Sequence, residues 1–521
     1  MADHSCPVPS QPPALKYPHA ESPFTLSARR LGAGNLFLLS YVTFFLASKL
    51  IGFTPGYALD DYLIVRQGTG HSLVDFFVSQ GRYSSALMEH ILQMCRLTMT
   101  DFSIIGLAAS MVFSGLFYRD ALQLSPRICA STSIGLGAIL GAHPYYTEYV
   151  SFRQAALPMS ILFASLWLSI IFFLRAGRTE AGKYPMLACS LLAGVIAMGF
   201  NQLAVAFYAI AILCIETNRA LRVTMEEGSN HTLSVRKLAI APLRAAAAGA
   251  ALVACSLLVS KLVSLSFGTT SDQRASLLAA DMIAQRGKEV TALLQVLFAK
   301  SEPIAAWPAK VLPLVALGLF LLWSVIDRSI SQLLAALICL VAGTAAALIP
   351  VTATEIWWPV PRTLIAVPFA IASAISIASI GRHRLGSLFG LILVGSACIF
   401  SAHSQSMLFN QQRLNRWDQM RAYDISQRAA EKFPGVAPKL AIVDPSWGYN
   451  VAPSIIQGDL NSSAFIVSWA IDSLFDEATG RDQSVRLAPE LSDFCQTSKK
   501  YPDPYALHLR GEEIVVCMQP R

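Results

Sequence analysis

The sequence predicts a polytopic α-helical membrane protein of about eleven transmembrane helices, followed by a small α/β domain on the exterior side. Three observations carry this. Only 14% of the 521 residues are charged, against about 25% in soluble chains. Apolar runs recur over the first four-fifths of the chain, and roughly 20 apolar residues cross a hydrocarbon core about 30 Å thick. From His403 onward the composition turns to that of a soluble domain.

In chain order, residues 1–32 form a polar, Pro-rich tail expected to be disordered. The apolar run 33–53 is too long for a signal-peptide core, so a first span is expected and a cleavable leader is not. Further spans are expected near 102–118, 128–144, 155–174, 184–200, 202–217, 245–266, 309–326, 330–350, 363–380 and 385–402. Alternate connections are basic: Arg29 and Arg30, Arg119 and Arg127, Arg175 to Lys183, Arg219 to Arg244, Arg328, then Arg382 and Arg384. The positive-inside rule puts these in the cytoplasm, with the amino terminus inside and the carboxyl terminus outside. The net charge of +7 therefore reports topology rather than nucleic-acid binding. The opposite side receives the loop 54–101, an amphipathic loop from Gly268 to Trp307, and residues 403–521. In this last part a helix is expected near Asn410–Lys432, strands at Lys439–Val443 and Glu513–Met518, and a helix near Ala464–Phe475. Cys495 and Cys517 could pair in an oxidising compartment, with two free thiols as the alternative.

The chemistry-bearing residues gather on the exterior side. Asp60 and Asp61 follow the first span in Gly56-Tyr-Ala-Leu-Asp-Asp-Tyr62. Acids beside a bilayer are costly to keep, which marks them as candidate functional groups. Adjacent side chains point apart, so one acid is expected to face a site while the other is held by an amide, an Arg or a cation. A single carboxylate suits a general base that takes a proton from an acceptor hydroxyl. In glycosyl transfer the transition state is oxocarbenium-like, and a weak base suffices. The competing reading makes Asp60 the N-cap of a helix over Asp61–Gly68. A lipid-phosphate leaving group would need arginines, and Arg82, Arg153 and Arg362 lie at the exterior lip. Each could instead snorkel to headgroups. Tyr62, Tyr83, Gln202, Trp357, Trp358, His143 and Glu148 are candidate sugar or acceptor contacts, although an interfacial aromatic belt accounts equally for the tryptophans. Motifs for ATP, nicotinamide or serine-hydrolase chemistry do not occur.

The order of these pieces resembles the GT-C class of integral-membrane glycosyltransferases, and within it the Gtr-type O-antigen glucosyltransferase family. The matching stretches are Leu59-Asp-Asp-Tyr62, Gly81-Arg82-Tyr83, Tyr149–Met159, the stretch around Gln202, and Pro361-Arg362-Thr-Leu364. The resemblance covers most of the membrane part and none of the carboxyl-terminal 119 residues. It implies a GT-C-like fold in the bacterial inner membrane and a sugar, typically glucose, moved with inversion from undecaprenyl phosphate to a periplasmic glycan such as O-antigen. It implies Asp60 as base with Asp61 as a supporting or alternative catalytic residue, and Arg82 and Arg362 as contacts to the donor phosphate. A flippase and a polyprenyl-phosphate glucosyl synthase would share the pathway. Relatives often carry an acid in the segment matching Phe152–Pro158, where this chain has Gln154-Ala-Ala156. A monophosphate donor can be handled by arginines, so no essential metal is expected, although other members of the class use a divalent cation. The alternatives are a transferase acting on pilin or another protein, a ligase or polymerase using the Gly268–Trp307 loop with Arg274 and Arg286, and a lipid-glycan flippase. Transporters concentrate ionisable groups near the midplane, whereas here Lys261 is a rare internal charge.

Overall fold

A computed structural model of the protein describes residues 32–54, 56–62, 71–124, 128–178, 182–227, 231–270, 276, 278–299, 307–327, 329–381, 383–435, 439–446, 451 and 462–519. The amino-terminal tail, Arg29, Arg30, Arg127, Arg274, Arg328 and Arg382 lie outside these residues, as do positions 63–70 and the side chain of Arg384.

Eight helices among the described residues are long and apolar enough to cross a membrane: Ala33–Phe53, Met99–Leu122, Arg153–Ala176, Lys183–Phe200, Ala204–Val223, Arg236–Phe267, Ile330–Thr352 and Gly386–Lys432. The other expected spans fall on shorter apolar helices, Ala130–Ala142, Lys310–Ile326 and Val367–Ala378. The protein is thus membrane-embedded and predominantly helical, with a small carboxyl-terminal sheet. Its α-helices among the described residues are α1 (Ala33–Lys49), α2 (His71–Ser79), α3 (Tyr83–Met94), α4 (Ser103–Leu122), α5 (Ala130–Ala142), α6 (Tyr145–Ser151), α7 (Arg153–Ala176), α8 (Lys183–Phe200), α9 (Ala204–Glu227), α10 (His231–Phe267), α11 (Ile283–Ala299), α12 (Trp307–Ile326), α13 (Ile330–Thr352), α14 (Val367–Ala378), α15 (His383–Lys432), α16 (Ile471–Thr479) and α17 (Ser492–Thr497).

Lipid tails are as apolar as side chains, so helices in a bilayer associate through close packing, and small residues permit it. α5 applies this rule against α1. A Cβ on Gly137 would lie 2.3 Å from the Phe37 carbonyl, and one on Gly141 would lie 2.4 Å from the Tyr41 carbonyl. The same contact seals Lys49, whose buried amine donates to the Gly141 carbonyl at 2.8 Å and to Ser48 Oγ at 2.9 Å.

The expected break between the span 385–402 and the amphipathic helix 410–432 is absent. α15 runs unbroken for 50 residues, about 75 Å at 1.5 Å per residue. Its first half packs in the bundle through Phe389, Leu393 and Phe400. Its second half inserts Ala422, Ile425 and Ala429 into a separate core with Leu440, Phe475 and Val516. This second core is that of the terminal domain, whose sheet has the order β2-β1-β4-β3 (β1 Lys439–Val443, β2 Ser484–Leu487, β3 Leu507–Arg510, β4 Glu513–Cys517). β1 pairs in parallel with β2 and β4, and β3 is antiparallel to β4. The two expected strands are β1 and β4. The edge strands β2 and β3 have four residues each and mixed exposure, too short for a legible alternation. Cys495 and Cys517 form a disulfide.

The first loop joins this domain directly. Leu59 and Tyr62 belong to its core. Tyr62 accepts a hydrogen bond from Asn415 Nδ2 on α15 and meets Tyr57 edge-on at 5.4 Å.

Candidate active site

A cavity of about 420 Å³ lies at one end of the bundle, between the first loop, the end of α6 and the start of α7, the α8–α9 corner and the terminal domain. Its charged and polar lining comes from Asp60, Arg82, Arg362, Gln80, Ser85, Gln154 and Asn201, with Tyr149 and Trp469 among its aromatic walls.

The two aspartates have opposite fates. Residues 59–62 form a helical turn, with the Asp61 amide donating to the Ala58 carbonyl at 3.1 Å. Ala58 therefore occupies the cap position and Asp61 the third helical one, where a carboxylate can reach back to the cap amide. It does so at 2.8 Å. Asp61 also accepts from the amides of Arg153 (3.2 Å) and Gln154 (3.1 Å), the unpaired first turn of α7. Its side chain is wholly buried, and burial pushes its carboxyl up to about 7 against the pull of those three amides. Asp60, one position earlier, is half-buried and lines the cavity. The expected division of labour is thus present. The helix Asp61–Gly68 capped by Asp60 falls mostly outside the described residues, and within them the cap position belongs to Ala58.

Gly81-Arg82 is a helix stop. The Arg82 amide donates to the Phe77 carbonyl (2.8 Å) and the Gly81 amide to that of Val78 (2.9 Å), with Gly81 at φ +72°. This is the paired-bond, left-handed ending that glycine favours. A Cβ at Gly81 would also approach Ser260 Oγ to 3.2 Å. The stop of α2 sets Arg82 on the cavity wall.

Arg362 lies in a short turn opened by Pro361. Glu148, wholly buried on α6, accepts its amide at 2.7 Å and its Nη1 at 2.8 Å. The guanidinium lies over the Phe152 ring at 5.0 Å.

Several expected contacts take other places. Arg153 is not on the cavity: its guanidinium donates to the carbonyls of Thr54 and Gly56 and to Ser103 Oγ, stapling the first loop to the bundle. Glu148 holds Arg362 and does not itself line the cavity. His143 packs edge-on against Tyr145 (4.6 Å) and Phe400 (4.8 Å) beside a different, small cavity. Tyr62 is sealed in the terminal domain's core. The Tyr83 hydroxyl donates to the Val195 carbonyl at 2.6 Å, locking α3 onto α8. Trp358 is exposed, and Trp357 packs against the Arg286 guanidinium at 4.9 Å. That arginine ties α11 to the carbonyls of Val351 and Glu355. Gln202 donates to the Gln80 carbonyl at 3.3 Å and lines a neighbouring cavity. A shared physical reason underlies these displacements: a buried donor or ring is claimed by the nearest carbonyl or apolar wall, and sequence order does not show which wall is near.

The cavity also holds residues that sequence reasoning passed over. Asn201 donates to the Tyr149 hydroxyl at 2.8 Å, fixing both on the wall. Its only signal was a polar pair breaking an apolar stretch. Trp469 comes from the terminal domain, is 49% exposed, and carried no motif at all. No family model matches the chain, and no curated protein matches it.

Proposed function

We propose that the protein is an inverting glycosyltransferase that moves a hexose, glucose in the first instance, from undecaprenyl phosphate to a glycan acceptor at the extracytoplasmic face of a bacterial inner membrane. The observation that carries this reading is the convergence of one carboxylate and two arginines on a single cavity at the bundle's end. Asp60 takes the proton of the acceptor hydroxyl as that oxygen attacks the anomeric carbon from the face opposite the phosphate. The bond from the anomeric carbon to the phosphate oxygen breaks, its electron pair stays on that oxygen, and the polyprenyl phosphate leaves. Arg82 and Arg362 stabilise the charge that grows there, as preformed donors do in a site shielded from water. Trp469 offers an aromatic face to a sugar ring. The disulfide fits an oxidising compartment on this side, in keeping with the basic loops on the other.

The test is transfer by the full-length protein in liposomes, with radiolabelled glucosyl undecaprenyl phosphate and an O-antigen acceptor. Asp60→Asn is expected to cut turnover by about 10²–10⁴-fold with thermal stability unchanged. Transfer at the wild-type rate by this variant would remove Asp60 as the base.

A further inference from the structure

A second cavity, about 510 Å³, lies on the far side of the Gln80–Arg82 turn and shares no lining residue with the first. One wall is a face of α10 made of two rows at helical spacing. Val253, Leu257, Lys261 and Leu265 form one row, and Ser256, Ser260 and Ser264 the other. Ile349 and Pro350 of α13 stand across from them. Lys261 is the one charged side chain among the described residues that line the cavity. It sits two turns beyond Val253, about 12 Å along the axis, toward the end of α10 that approaches Gly81. Ser260, Ser264 and Thr269 line the cavity along the same stretch of chain. The Thr269 hydroxyl is buried without a hydrogen-bond partner among the described residues. An unmet buried polar atom is costly, and this one belongs to a residue that lines the same cavity as Lys261.

We propose that this cavity binds a membrane lipid with a phosphate head and a slender apolar tail. The phosphate sits at Lys261 and takes hydroxyl donors from Ser260, Ser264 and Thr269. The tail runs along Leu257 and Val253, against Ile349. A lone ammonium among hydroxyls suits a monoanionic or dianionic head, while the apolar row gives the polar end no partners and the chain a wall. The site stands whether or not the first cavity performs sugar transfer, and it goes beyond that reading.

The experiment uses the full-length protein in nanodiscs with a benzophenone analogue of farnesyl phosphate, followed by peptide mapping. Photolabel is expected on α10 between Val253 and Leu265, displaced by farnesyl phosphate but not by equal concentrations of farnesol or inorganic phosphate. Lys261→Gln should weaken farnesyl phosphate binding at α10 about tenfold, and Leu257→Trp should block the tail and remove the label. Both positions are exposed, and their variants should melt as the wild type does. Labelling confined to the first cavity's walls would overturn the proposal. So would displacement by inorganic phosphate as effective as by the lipid, or unchanged affinity in Lys261→Gln.

Discussion

Asp61 with Arg153, and Asp60 with Arg82 and Arg362, are the same residue types around the first loop, yet they do different work. The first group is consumed by architecture. Asp61 spends its oxygens on three backbone amides, and Arg153 spends its fork on two carbonyls and a serine. The second group faces a cavity large enough for a sugar. The comparison teaches that a charged residue at a membrane lip is assigned by what packs around it, and that a residue bound into the backbone can hold its neighbour on a cavity wall.

The largest effect that could break this contrast is on turnover. Arg82→Ala and Arg362→Ala should each lower transfer by about 10²–10³-fold, whereas Arg153→Ala should lower yield and melting temperature and leave turnover per folded molecule close to wild type. Liposome assays normalised to folded protein check this; equal turnover losses in all three would erase the distinction.

Next comes stability. Asp61→Ala strips three buried amides of their acceptor and should cost about 2–4 kcal/mol, seen as a lower melting temperature in detergent. The sign with pH is also fixed. Burial raises Asp61 to about 7, so the folded state holds a proton that the unfolded chain has released from near pH 4 upward. Asp61 therefore loses stabilising power as pH rises from about 4 to about 7, and levels off above. The melting temperature of wild type minus that of Asp61→Asn should fall as pH rises from about 4 to about 7; a difference that rises over that range would contradict the assignment.

Glu148→Gln keeps the volume of the side chain but removes the charge that clamps Arg362. It should cut kcat/KM by about tenfold, mainly through the donor. Trp469→Ala should have the smallest effect, a several-fold rise in acceptor KM with little change in kcat, and Trp469→Phe should restore most of it. A kcat loss in Trp469→Phe would mean that the ring does more than stack.

Much of this was legible in the sequence. Apolar run length located the membrane helices, eight of which among the described residues are long enough to cross, and adjacency alone required Asp60 and Asp61 to diverge. The Gly81-Arg82 pair was legible as a candidate for the site, but the left-handed helix ending that places Arg82 on the wall was not. Long-range claims were not legible. That Glu148 would meet Arg362, 214 positions away, depends on how α6 and the Pro361 turn pack. Trp469 reaches the cavity only because the unbroken α15 carries the terminal domain back onto the first loop, and the expected break near 402–410 hid that. Arg153 looked like an anion contact since its carbonyl partners carry no sequence signal.

The most direct test of the central claim is mass spectrometry of surface glycans from cells lacking the gene, complemented with wild type or with Asp60→Asn. The account predicts a hexose substituent that disappears with the gene, returns with the wild type and stays absent with the variant. Identical glycans in all three strains, or full restoration by Asp60→Asn, would contradict it.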